Sequence, residues 1–395
     1  MKDIKSDCKY FRGDKPCRYH KEEGVTCNCC GHYDPMSTKV LIIKLGAPGD
    51  VLRTTPILKA LKRRDRAVHI TWITEKASVP LLVHNPYIDR LWKYSAEIAV
   101  RLCVETFDLV LSLDNAEDCA SLASLSTGGE KLGYGLNKKG VVEPFNKEAE
   151  TWFEMAVFDN VKKANQRTYQ DHIFSICRFK FDPLVHEIVL DLKDDEKVLG
   201  KKFALAHGLK DSDLVVGVNI GSGGRWPMKR WKDDGFTELI GRLVREDGIR
   251  VVLLGGPEEN ERAEKIKDEL HAKGIEVIDG GCGNPLRDFI AIVDRCDVVV
   301  TGDTLALHIA VGLKKHVVAF FGPTSASEIE LYGRGEKIIA AKDCVCCYRQ
   351  KCNISPYCVE TITVDEIYEA VKKSMIKLSK ASFHFEGNRY TYTAM

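Results

Sequence analysis

The feature that most constrains this chain begins at residue 39. A short apolar run, a glycine-rich or polar turn and a helical stretch follow one another repeatedly. In the first half the apolar runs are KVLIIKL, VHITWIT, RLWKY and DLVLSLD, with TPILKALKRR and AEIAVRLCVETF between them. In the second half they are LVVGVNI, RVVLLGG, EVIDGG, DVVVTGD and HVVAFFG, separated by DDGFTELIGRLVRE, EENERAEKIKDELHAK and LALHIAVGL. Short runs rich in Val and Ile that alternate with helices read as strands of a parallel sheet covered on both faces. Two such series predict an α/β protein with two doubly wound parallel-sheet halves. A length of 395 residues agrees, being too long for one ordinary core and right for two domains of ~150 residues plus extras.

The rest of the composition mainly excludes. With 58 basic and 57 acidic residues there is no global field to draw nucleic acid. No apolar run nears the ~18 residues of a membrane span, and MKDIKSDCKYFRGDKPC has no apolar core of a signal peptide. A soluble, cytoplasmic protein is expected.

In doubly wound sheets, ligands sit beyond the carboxyl ends of the strands, and with two halves the natural site is the cleft between them. The turns after the strands are therefore the places to look. After KVLIIK comes LGAPGDVLRTTP, where Gly46 and Gly49 leave room beside the carboxylate of Asp50, and Thr55-Pro56 reads as the cap and first residue of the next helix. After VVGVNI comes GSGGRWPMKRW, which sets Arg225, Lys229 and Arg230 beside three glycines. Glu258 and Glu259 follow VVLLGG, and carboxylates there can accept from ribose hydroxyls. Asp303 and Thr304 open a helix whose free N–H groups suit a diphosphate, with His308 one turn further in. Each also has a plain structural reading: a helix cap for Asp50, Asp303 and Thr304, a dipole partner for either glutamate, a core histidine, a solvated lysine. Recurrence at successive strand ends favours binding over these. No segment is a GxGxxG or Walker loop.

KVLIIKLGAPGDVLRTTPILKALKRR, VGVNIGSGGRWPMKRWKDDGFTELIGRLV, VVLLGGPEENERAEKI and DVVVTGDTLALHIAVGL with HVVAFFGPT together resemble glycosyltransferase family 9, the heptosyltransferases of lipopolysaccharide core synthesis. The resemblance implies a GT-B fold, with an acceptor domain at 39–190, a nucleotide-sugar domain at 191–343, and a C-terminal region, 344–395, whose helix crosses back to the first domain. It implies inverting, metal-independent transfer, ADP-heptose as donor and a lipid-linked glycan as acceptor, reached by peripheral membrane contact. Asp50 matches the family's base, Lys229 the basic residue at the donor phosphates, Glu258 or Glu259 the ribose contact, and Asp303, Thr304 and His308 the segment around the diphosphate. Leu305 stands where the family usually has Gly. Gly49, Lys44 and Arg53 are candidates for the acceptor side, while Lys59, Lys62, Arg63 and Arg64 form either an anion-binding or a merely solvated helix face. The alternatives are a GT-B transferase with another nucleotide sugar, or a non-catalytic nucleotide-sugar-binding protein with a metal-binding or redox-sensing cysteine module.

Fifteen cysteines are the remaining oddity, and ten fall in two windows. Cys27-x2-Cys30 with Cys8 and Cys17 upstream, in the extension 1–38, makes one possible four-thiolate set. Cys344, Cys347, Cys352 and Cys358 make the other. A CxxC pair lets one loop offer two thiolates to one metal, and zinc and an iron–sulfur cluster both fit. Cys29 and Cys346 read as spare neighbours. Cys103, Cys119, Cys177, Cys282 and Cys296 read as small core residues.

Overall fold

The computed structural model describes residues 4–224 and 226–387, with 379–387 described by backbone alone. Its chain divides into two compact units. The first runs to Phe158 and takes in Gln170–Val189; the second takes in Asp159–Tyr169 and everything from Leu190 onward.

The first unit holds β1 (Lys39–Ile43), β2 (His69–Thr74), β3 (Arg90–Lys93), β4 (Thr106–Ser112), β5 (Thr127–Leu136) and β6 (Val142–Pro144). They lie in the order β3-β2-β1-β4-β5-β6; only the β5–β6 pair is antiparallel. The second unit holds β7 (Val215–Asn219), β8 (Arg250–Leu254), β9 (Ile278–Asp279), β10 (Val298–Gly302), β11 (His316–Phe321) and β12 (Gly335–Ile339). These run parallel in the order β12-β11-β10-β7-β8-β9. Each sheet reverses its winding between two neighbours, β1 and β4 or β7 and β10. Such a reversal opens a crevice at the carboxyl ends of those strands.

All six residues of β2 and all five of β7 and β10 are buried, as expected where helices cover both faces. Three strands were not foreseen: β5, β6 and β12. TGGEKLGYGL in β5 alternates between exposed and buried blocks, and β12 is half exposed at the sheet edge. Neither carries the apolar run that marks a central strand. AEIAVRLCVETF is helical only over Ala96–Leu102, because Thr106 already begins β4.

The last helix, Val364–Gly387, does not return to the first unit as expected. It belongs to the second, where it packs on β10, β11, β12 and the helix Asp233–Asp247. Ile367 and Val371 are fully buried there, and Trp231 Nε1 donates to Ile362 O at 2.9 Å just before the helix. The apolar side of the helix finds its cover in its own domain. An unforeseen segment, Asp159–Tyr169, joins this unit instead, with Tyr169 N donating to Glu328 O at 3.0 Å. No helix among the described residues is long and apolar enough to cross a membrane.

Candidate functional site

In the first unit, β1 leads into the short helix Pro48–Thr54, started by Pro48 in its first turn with Ala47 at the cap position. Asp50 is therefore not the cap; it sits inside the first turn. Its Oδ1 accepts from Arg53 Nε and Nη2, both at 2.9 Å. The Arg53 side chain is 10 % exposed and that of Asp50 34 %, so a buried guanidinium aims a carboxylate that water can reach. Thr54 Oγ1 donates to Asp50 O. Thr55 and Pro56 are the cap position and first residue of the helix Pro56–Arg64. Thr55's hydroxyl, however, turns back to donate to Leu52 O and accepts from Val189 N.

The acceptor-side candidates divide. Lys44 is buried and its Nζ donates to Asp114 Oδ2 at 2.9 Å, across the β1–β4 switch point. Asp114 was not among the candidates, although it closes the strand run DLVLSLD and could have been found there. Gly49 lies in the Asp50 helix. Lys62 bonds Val68 O and Asp89, and Arg64 covers the Phe179 ring, so these two brace the fold.

In the second unit, the loops after β7, β8 and β10 enclose a cavity of 430 Å³ lined by residues 221–223, 255–259 and 304–306, with Cys282, Asn284 and Phe289. This volume is in the range of small-molecule sites. A larger hollow of 530 Å³ lies beside Arg250 and Ile278. It gathers none of the strand-end loops, so the smaller one is the candidate. Its wall depends on Gly221, where a Cβ would come within 2.8 Å of the Glu259 carboxyl group. Glu259 is 3 % exposed. Its carboxylate accepts from Gly223 N at 3.2 Å and Gly256 N at 3.0 Å and lies 3.7 Å from Arg230. It thereby ties the β7 loop to the β8 loop. Glu258 is exposed at the same wall.

Lys229 and Asp303, picked from separate motifs, are brought together: Nζ lies 2.7 Å from Oδ2 and 3.1 Å from the Asp303 carbonyl. Thr304 occupies the cap position of the helix Leu305–Gly312, but its hydroxyl bonds Thr301 and Asn219 rather than the helix. Asn219, at the end of β7, is a residue the sequence reading missed. Its Nδ2 reaches Thr301 Oγ1 and Gly221 O, and a buried polar residue closing an apolar strand was the available signal. His308 is buried in the same helix and is not part of the cavity lining. Leu305 does line it. Arg225 lies outside the described residues.

Both cysteine windows are partly gathered. Cys8, Cys17, Cys27 and Cys30 line one hollow. Burial pushes the Cys358 thiol above its ordinary pKa, and so do the neighbouring Cys347, Cys344 and Cys352. Cys346 stands apart, its N–H donating to Gly322 O. Among the described residues no three His, Cys, Asp or Glu side chains are drawn together tightly enough for a single ion. Of the five expected core cysteines, Cys103 is exposed at a helix end, while Cys119, Cys177, Cys282 and Cys296 are buried, Cys282 in the core of the second unit where it also lines the cavity.

The sequence model of glycosyltransferase family 9 (heptosyltransferase) matches residues 96–358. The chain belongs to glycosyltransferase family 9. This family 9 protein is 23% identical over 317 residues to lipopolysaccharide heptosyltransferase 1 of Salmonella typhimurium, covering 75% of this chain and 92% of the relative. Against lipopolysaccharide heptosyltransferase 2 of the same organism it is 30% identical over 301 residues, 73% of this chain and 83% of the relative. The solved structure of the Escherichia coli ADP-heptose lipopolysaccharide heptosyltransferase II superposes with a TM-score of 0.64 at 16% identity, over 86% of this chain and 99% of that one. The two doubly wound domains are those of the GT-B fold, and the protein is a glycosyltransferase. Its second cysteine window lies within the residues matched by the family, and its first lies before them.

Proposed function

We propose that this transferase moves heptose from ADP-heptose onto a sugar of the lipopolysaccharide core, with inversion and without a catalytic metal. The observation that carries the reading is the 430 Å³ cavity built by the loops after β7, β8 and β10, where a doubly wound domain binds its nucleotide. The carboxylates of Glu258 and Glu259 offer acceptors to the ribose hydroxyls. The N–H groups at the start of the Leu305 helix and the ammonium of Lys229 receive the diphosphate, which joins Asp303 as a partner of that ammonium.

In the transfer, an acceptor hydroxyl gives its proton to Asp50 as its oxygen bonds the anomeric carbon. The bond from that carbon to the diphosphate breaks, and its electron pair leaves on ADP. Arg53 fixes the direction of the Asp50 carboxylate, so the base is aimed before the acceptor arrives. Lys229 and the helix-entry N–H groups stabilise the charge that develops on the leaving diphosphate. A lipid-linked acceptor would bring the protein to the membrane surface peripherally. Cys344, Cys347, Cys352 and Cys358 we read as a structural metal site, to be tested by zinc and iron analysis of purified protein.

Leu305 favours a second reading, a different nucleotide-activated sugar, because its side chain adds bulk where glycine would let backbone approach phosphate. A thermal-shift panel separates the two. ADP-heptose and ADP should raise the melting temperature selectively; selective stabilisation by a uridine or guanosine nucleotide sugar would replace the donor in this proposal.

A further inference from the structure

The first cysteine window is unusual in a way that the transferase reading does not absorb. From residue 4 to residue 38 not one side chain is buried. Nevertheless the segment has a defined course. Its helix, Arg18–Glu23, ends at Gly24 in the left-handed conformation. Cys8 bridges Pro35, Lys9 N donates to Asp34 O, and Met36 N donates to Asp7 O. A stretch of this size without a core needs a cross-link to hold one conformation.

The structure offers one. Cys8, Cys17 and the Cys27/Cys30 pair come from three separate places in the segment and line a single hollow of 490 Å³. Cys29, between the CxxC pair, is not on that hollow and is engaged with Thr26, whose hydroxyl and carbonyl lie 3.4 and 3.5 Å from its sulfur. The two histidines on the wall already have ring partners: His20 Nδ1 with Val25 O, and His32 Nε2 with Glu23, its ring stacked on Tyr19. Among the described residues, none of the four hollow-lining sulfurs has a side-chain hydrogen bond. Tyr10, Phe11 and Tyr33 complete an apolar wall, and Lys5 and Lys15 stand at it.

We propose that Cys8, Cys17, Cys27 and Cys30 form a four-thiolate metal centre that folds the N-terminal segment. The ligand is a thiophilic metal, as one zinc ion or as an iron–sulfur cluster. Four thiolates around either leave net negative charge, which the two lysines offset. The thiols line the hollow without converging on a point. They would close as metal binds, as in small domains whose folding is linked to their metal. No redox or transfer step is required of the centre.

The test uses the full chain, purified without air, with peptide-level alkylation and elemental analysis. The expected result is rapid labelling of Cys29, at least ten-fold slower labelling of Cys8, Cys17, Cys27 and Cys30, and loss of that protection on chelation. A Cys27→Ser/Cys30→Ser variant should lose one centre's metal, as zinc or as iron with acid-labile sulfide. It should become sensitive to protease between residues 4 and 38 while keeping its thermal shift with nucleotide. A Cys29→Ser variant should keep its metal. Labelling of the four thiols at the rate of Cys29, disulfides among them, or equal metal in the double variant and the parent would overturn the proposal. None of these readouts depends on which sugar is transferred.

Discussion

At the scale of the residue, the site is a set of charges whose partners are fixed before any ligand arrives. Asp50 is tied to Arg53 and Lys229 to Asp303, and the two pairs suit different tasks. In the proposed transfer the first pair aims a base, and the second holds a cation for the donor phosphates. Lys229→Ala should therefore weaken ADP-heptose binding by at least ten-fold in calorimetry, since it removes a charge-assisted contact of about 1.5–3 kcal/mol. Unchanged affinity would count against the phosphate role. The sequence shows which residue types stand at strand ends, so Asp50, Lys229, Glu258 and Asp303 were visible in it. Their partners were less so. Arg53 is three residues from Asp50 on the same helix, but the pairing of Lys44 with Asp114 depends on β1 lying next to β4, and no local pattern reveals that neighbour.

At the scale of the element, central strands were legible because burial on both faces leaves an unbroken apolar run. β5 and β12 were not, because their partly exposed positions tolerate Gly, Glu and Lys. The first sheet also carries a pH sensitivity that the sequence did not suggest. His69 opens β2, and burial first, then Arg90, push its pKa down to about 4 from an ordinary 6.5, with Asp89 opposing and Lys39 and Lys62 adding to the fall. Glu105, just before β4, would be pushed up by burial, but the bond and charge of Arg90 and then those of Lys39 outweigh this and hold it at about 2. In both cases the unfolded chain takes up a proton that the folded chain refuses. Stability is thus full above the unfolded value and declines as pH falls, from 6.5 towards 4 through His69 and from 4.5 towards 2 through Glu105. Calorimetric scans should show the melting temperature of the first unit dropping across both windows, and Glu105→Gln should remove the lower step. A melting temperature that is flat from pH 6.5 to 4 would contradict the His69 assignment.

At the scale of the whole molecule, one winding is used twice, and each copy reverses at a crevice where its chemistry is proposed to lie. The doubling was readable because each half repeats the alternation of strand and helix. The order of the strands was not, since periodicity defines an element without naming its neighbours. The excursion of Asp159–Tyr169 into the second unit and the docking of the last helix there were equally hidden, because both depend on which distant surface covers an apolar face. The account's central claim, that the carboxylate of Asp50 is the base of a heptosyl transfer, is tested most directly by following ADP release and heptosylated product from ADP-heptose and a core-oligosaccharide acceptor. The parent protein should form the two in equal amounts. Asp50→Asn should lose turnover by about 10²–10⁴-fold, the usual contribution of general-base catalysis, while binding ADP-heptose within a few-fold of the parent. Turnover by Asp50→Asn close to that of the parent would contradict the account.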